Sequence, residues 1–175
     1  MKLQSCAVLG CAVLAGSLLA AGSRANQPLH APNSPAEHAL DAILKTAGDD
    51  DDQLDNLFDG RGKPDFKKTV DYTTLLTKAL LSAIADREKA IVRQECGGHY
   101  MKDETCGLDY LPINCAQDTN DSYVYETVKE TDSTAEIRYA WPNQKSDATY
   151  RLVLSEGHWK LDGIACVEAD SFNMK

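Results

Sequence analysis

Thr134-Ala135-Glu136-Ile137-Arg138-Tyr139-Ala140-Trp141 places Ala135, Ile137, Tyr139 and Trp141 on one side of an extended chain and Thr134, Glu136 and Arg138 on the other. A period of two marks a strand with one face on a core and one in water. Residues 122–130, 148–155 and 158–167 read the same way. The connections between these four segments are turn-rich: Glu130-Thr131-Asp132-Ser133, the Pro142-containing stretch 142–147, and Glu156-Gly157. All three are too short for a crossover, so the strands form an antiparallel meander.

Such a sheet has an apolar face that needs a cover, and two upstream segments can supply it. Ser34-Pro35-Ala36-Glu37 sets a hydroxyl at an N-cap, proline in the first turn and a carboxylate three residues on, a capping box. Ala36, Ala39, Leu40, Ile43, Leu44 and Ala47 follow at helical spacing, and Gly48 is placed to stop the helix. A second, longer helix is predicted from Asp71 as N-cap, with Leu75, Leu76, Ala79, Leu80, Ala83, Ile84, Ala90 and Ile91 on its apolar side, ending near Cys96 before Gly97-Gly98. In that helix Asp86, Arg87, Glu88 and Lys89 are expected to face water.

Between the helices lies an acidic run, residues 49–52 and Asp55, then the turn-rich Asp59-Gly60-Arg61-Gly62-Lys63-Pro64, with one helical turn around 54–58. A calcium-binding EF-hand needs Gly sixth and Glu twelfth; counted from Asp49 these are Leu54 and Gly60, so the match fails. The run reads as a solvated loop. The predicted fold is therefore α+β: N-terminal helices packed on a curved antiparallel sheet of about four strands, in a single domain over residues 34–175.

The first 25 residues open on Lys2, continue through a nearly uncharged Ala/Val/Leu/Gly stretch and finish Ser23-Arg24-Ala25. A charged start, an apolar middle and small residues before a cut make a signal peptide, with cleavage expected after Ala25. Val8-Leu9-Gly10-Cys11 resembles a lipobox but comes too early to leave a normal apolar region before it. Residues 26–33, with Pro28 and Pro32, are expected to be a flexible tail. Cleavage removes Lys2 and Arg24 and no acid from totals of 18 basic and 27 acidic residues, leaving 16 against 27, a net charge of −11. Phosphate backbones and anionic lipid would repel such a chain, which excludes nucleic-acid binding and membrane attachment after cleavage. A cationic protein is the electrostatically easier partner, although high charge also simply keeps a protein in solution.

Cys6 and Cys11 leave with the signal, and Cys96, Cys106, Cys115 and Cys166 remain. An even number in an oxidising compartment reads as two disulfides. Of three connectivities, Cys96 with Cys106 and Cys115 with Cys166 is favoured: the first closes a local loop containing glycine, and the second ties the start of the sheet region to its last strand. Zinc is the competing reading, since Cys96-Gly97-Gly98-His99 has finger-like spacing, but Cys106 and Cys115 lack the second short spacing. No metal or cofactor is expected.

Two helices, then an antiparallel sheet closing on Trp159-Lys160-Leu161-Asp162-Gly163-Ile164, resemble the cone-shaped fold of the nuclear-transport-factor-two-like, or cystatin-like, superfamily. Gly107-Leu108-Asp109-Tyr110-Leu111-Pro112 and Ala116-Gln117-Asp118, with Trp159 and Asp162, resemble the exported bacterial domain-of-unknown-function family of the YbjP/YqhG type. The resemblance spans about residues 35–167. It implies a periplasmic or secreted protein and supplies no catalytic residues.

A cone of this kind has a mouth where a small apolar ligand can sit, with Tyr125, Tyr139 and Trp159 as lining candidates. Asp109, Asp118 and Asp162 are the candidate acids or bases for isomerase or dehydratase chemistry there, which needs a desolvated carboxylate within reach of substrate. The plainer reading of Asp109 and Asp118 is turn and cap chemistry. His99 and His158 are expected to be a loop residue and an exposed one. The sequence carries no nucleophile triad, phosphate loop or dinucleotide fingerprint. The expected function is accordingly a noncatalytic binding or interaction module with an acidic surface, with the small-molecule enzyme as alternative.

Overall fold

Tyr125, Ile137, Tyr139, Tyr150, Leu161 and Ile164 are all within 1 % of complete burial, and they lie on one face of a sheet whose strands run in sequence order. The computed structural model describes residues 29–101, 106–118, 122–140, 148–167 and 170–174. The expected signal peptide and Trp141 lie outside the described residues. The strands are β1 (Val124–Glu130), β2 (Thr134–Ala140), β3 (Ala148–Ser155), β4 (His158–Cys166) and β5 (Ser171–Phe172), antiparallel throughout in the order β1-β2-β3-β4-β5. Among the described residues the sheet therefore has five strands rather than about four. The fifth is only two residues long, too short to show a period, but it buries Phe172.

On the opposite face, charges are paired across the strands. Glu126 sits directly opposite Arg138 and bonds it at 3.0 Å, and Arg151 of β3 reaches Asp162 of β4 at 2.8 Å. Both edges are capped as well. His30 exchanges backbone hydrogen bonds with Tyr125 on β1, so residues 29–33 of the expected tail are tied down at that point. The β4 edge is covered first by residues 75–77, through Thr77 N–H to Leu161 O and Leu161 N–H to Leu75 O, both 2.9 Å, and then by β5. Covered edges leave fewer free backbone groups for another chain to pair with.

Helix α1 (Pro35–Gly48) starts with the capping box: Ser34 Oγ accepts from Glu37 N–H at 3.2 Å, and Glu37 Oε2 accepts from Ser34 and Asn33 N–H. Caps of this type contribute about 1 kcal/mol. Gly48 is the last helical residue, and Asp49 is the C-cap. The face of α1 toward the sheet carries Ala36, Leu40, Ile43, Leu44 and Ala47, all buried. Glu37 is buried among them and accepts from Thr127 of β1 at 2.6 Å.

A five-residue helix α2 (Gln53–Leu57) fills the expected single turn. The long helix α3 (Lys78–Glu95) has its N-cap at Thr77, six residues later than the sequence pattern predicts. Asp71 does cap, but only the 3₁₀ turn Tyr72–Thr74. The cause is the β4 edge. Leu75 ends the 3₁₀ turn, Leu76 bridges to Leu161, and the extended Thr77 becomes the N-cap, accepting from Leu80 N–H and donating to Asp162 Oδ1 at 2.7 Å.

The buried stripe of α3 is Leu80, Ile84, Glu88 and Val92, spaced four apart. Glu88, expected in water, is 1 % exposed. The acidic run is likewise only partly solvated: Asp49, Asp51 and Asp52 are exposed, while Asp50 turns inward.

Disulfides join Cys96 to Cys106, across the end of α3, and Cys115 to Cys166, from the segment ahead of β1 to the end of β4. Such bonds are compatible with an extracellular or periplasmic location. The closed loops differ in length, 10 against 51 residues of separation. Loop closure predicts a loss of about 2.7 kcal/mol for Cys96→Ser with Cys106→Ser and about 4 kcal/mol for Cys115→Ser with Cys166→Ser. Urea unfolding of the two double variants checks the order; the reverse order would contradict it.

Candidate functional site

The carboxylates singled out in the sequence do not come together. Asp109 and Asp118 are exposed. Asp162 is half-buried and engaged on both oxygens, with Thr77 on one and Arg151 on the other. His158 is exposed at its turn, and His99 is exposed in the loop beyond Cys96. Tyr125 and Tyr139 are core residues: the Tyr125 hydroxyl donates to Asp41 at 2.9 Å, and the Tyr139 ring packs between Tyr123 and Tyr150. Trp159, opposite Leu154 in the sheet, is half-buried against the core. Among the described residues, no three His, Cys, Asp or Glu side chains converge to hold a metal ion, and no helix is long and apolar enough to cross a membrane.

Two places concentrate chemistry instead, on neighbouring parts of the helical layer. The first is Glu88. Its carboxylate accepts from Tyr100 O–H at 2.8 Å and from Leu108 N–H at 2.6 Å. Arg61 Nε lies 3.1 Å away, an ion pair too bent to be a hydrogen bond. The same guanidinium donates to the Cys106 carbonyl and lies over the Tyr100 ring. Gly107 makes the approach possible: a Cβ there would fall within 2.5 Å of the carboxylate oxygens, and its φ is +88°. Two segments far apart in sequence, the turn at Arg61 and the stretch from Tyr100 to Leu108, thus meet on one buried charge.

The second place is a cleft of about 260 Å³ beside α3. One wall is Leu81, Ser82, Ile84 and Ala85 of α3; the others come from residues 56–59 and from Lys68, Tyr72 and Thr73. Its polar wall is fixed from behind by Asp50, which accepts from Tyr72 O–H at 2.7 Å and from Asn56 Nδ2 at 2.8 Å; Asn56 also bonds Thr69. The rim is strained. Asp59, Gly60, Arg61 and Gly62 have φ of 52°, 81°, 43° and 87°, a left-handed run that costs non-glycine residues about 1 kcal/mol or more each. Insertion of Arg61 against Glu88 holds that run in place.

Sequence reasoning did not find either place. Glu88 was accessible in principle, because it falls in step with Leu80, Ile84 and Val92. The cleft was not, since its walls come from three segments with no shared pattern. The family models, the curated proteins and the solved structures contain no match to this chain.

Burial, reinforced by hydrogen bonds to carboxylates, raises the pKa of several phenols. Tyr100 beside Glu88 is pushed up to about 12, and Tyr72 beside Asp50, Tyr110 beside Asp170 and Tyr125 beside Asp41 are pushed higher. In the unfolded chain each phenol ionises near its ordinary value of about 10. The stabilisation from holding them neutral is complete below that value and is lost as pH rises through the folded values, beginning with Tyr100. At about pH 11 the folded chain is expected to show less phenolate absorbance than the chain in urea; superimposed titration curves would contradict it. Glu88→Ala is expected to lower stability by about 3–5 kcal/mol, because it leaves the largely buried Arg61 charge unmatched. Urea unfolding measures the loss, and a change below about 1 kcal/mol would remove Glu88 from this role.

Proposed function

We propose that this chain is an exported, noncatalytic binding module of the cystatin-like, nuclear-transport-factor-two-like architecture, acting in the periplasm or outside the cell, whose acidic surface holds a cationic partner protein. The observation that carries the reading is how the acids divide. Glu37, Asp50 and Glu88 are buried and engaged in anchoring the helical layer. Asp51, Asp52, Asp65, Asp86, Asp109, Asp118, Asp132 and Glu156 are exposed. A surface that keeps this many carboxylates in water favours encounter with a positively charged protein and discourages anionic ones. Helices packed on an antiparallel sheet, and two disulfides, support the architecture and the compartment.

The enzymatic alternative, isomerase or dehydratase chemistry on an apolar substrate, needs a desolvated acid facing a cavity. Asp109 and Asp118 in water, and Asp162 held by Arg151 and Thr77, give it less support. Capture on the immobilised, disulfide-intact chain from envelope extract is expected to retain a defined basic protein at low salt and release it at high salt, since exposed charge pairs are screened within about 10 Å at 0.1 M. Retention of nothing specific, or retention indifferent to salt, would sink the proposal.

A further inference from the structure

We propose that the cleft beside α3 binds a free apolar α-amino acid as its zwitterion, with Asp59 taking the ammonium group, Lys68 the carboxylate, and Leu57, Phe58 and Leu81 the side chain. The proposal does not rest on the protein-partner reading, and either can hold without the other.

Size comes first. A space of about 260 Å³ lies just under the range of about 300–1,000 Å³ usual for drug-sized ligands, so the occupant is a small molecule. Its chemistry follows from the lining. The apolar part of the lining comes from Leu81 and Ala85 of α3 and from Leu57 and Phe58 at the end of α2, and a charged ligand side chain placed against it would lose hydration without a partner. Asp59 and Lys68 also line the cleft, with opposite charges 3.5 Å apart. A simple carboxylic acid would match Lys68 alone, and a simple amine Asp59 alone. A zwitterion matches both and places the remaining apolar group against the apolar wall.

The pair is also free to change partners. The Asp59 side chain is 90 % exposed, and an exposed ion pair contributes little, so a ligand that separates the two charges gives up little in doing so. Meanwhile the backbone beneath is held. Asp59 starts the left-handed run that Arg61 anchors to Glu88, and Tyr72 and Asn56 in the cleft wall are bonded to Asp50. Strained backbone over-determined by its surroundings is characteristic of ligand clamps. A wall whose polar groups are already fixed needs little ordering when the ligand enters.

The test is calorimetric titration of the full chain, disulfides intact, with L-leucine, L-methionine and L-phenylalanine, and with two leucine analogues: L-leucinamide, which lacks the carboxylate, and 4-methylpentanoate, which lacks the ammonium. At least one of the amino acids is expected to bind saturably, and leucine about tenfold or more tighter than either analogue, the loss expected for one charge-assisted hydrogen bond. Lys68→Met should weaken leucine to the level of leucinamide, and Asp59→Asn to the level of 4-methylpentanoate. Ser82→Trp, at an exposed position on the α3 wall, should block the cleft and abolish binding while the circular dichroism is unchanged. No saturable binding by any of the three amino acids, analogues equal to leucine, or leucine binding that survives Ser82→Trp would each overturn the proposal. Loss of salt-sensitive partner capture with leucine binding intact would count only against the protein-partner reading.

Discussion

The tyrosine-rich inner face of the sheet sets most of the architecture. Tyr125, Tyr139 and Tyr150 supply much of the buried volume, and none of the three is more than 1 % exposed. A buried phenol is useful to a core only if its hydroxyl finds a partner. Here the partners come from elements outside the sheet: Asp41 of α1 for Tyr125, and the backbone carbonyl of Ile113 for Tyr150 at 2.8 Å. Covering the face therefore fixes where α1 and the 113–114 segment must lie. Asn114 and Gln53 extend the constraint, because Asn114 donates to Leu44 O at the end of α1 and accepts from Gln53 of α2. The helical layer is positioned by polar groups that the apolar burial requires.

The buried acids follow the same logic. Glu37 joins α1 to β1, Asp50 joins the loop after α1 to Tyr72, and Glu88 joins α3 to Arg61 and to the stretch from Tyr100 to Leu108. Burying charge contributes little net stability compared with apolar side chains of similar volume. Its effect here is selectivity: each carboxylate tolerates one arrangement of donors and penalises others. The acidic composition thus splits into two populations with different work, one inside fixing geometry and one outside setting the field.

The parts legible in the sequence are those governed by neighbours in sequence. The period-two pattern of residues 134–141 located β2, and the reciprocal Ser34 and Glu37 bonds were readable as a capping box. The start of α3 was not readable, because Leu75 and Leu76 continue a helical period while their backbone is claimed by Leu161, more than 80 residues away. Glu88 sits in Asp86-Arg87-Glu88-Lys89, which reads as a solvated run, and its partners lie at Arg61, Tyr100 and Leu108. Asp50 and Asp51 are chemically identical neighbours with opposite burial, decided by Tyr72 and Asn56. The cleft depended on the same long-range placement, so Asp59 and Lys68 carried no local sign that they would face one another.

The last strand is held by very little of its own. Phe172 is 2 % exposed and belongs to the central apolar cluster, yet β5 pairs with β4 over only two residues, too few to keep a strand in place by themselves. Its seat is maintained by the Phe172 ring and by Cys166, six residues earlier, which is bonded to Cys115. Detachment of β5 is the small opening that would let water reach the apolar cluster while the β1 to β4 meander stays intact.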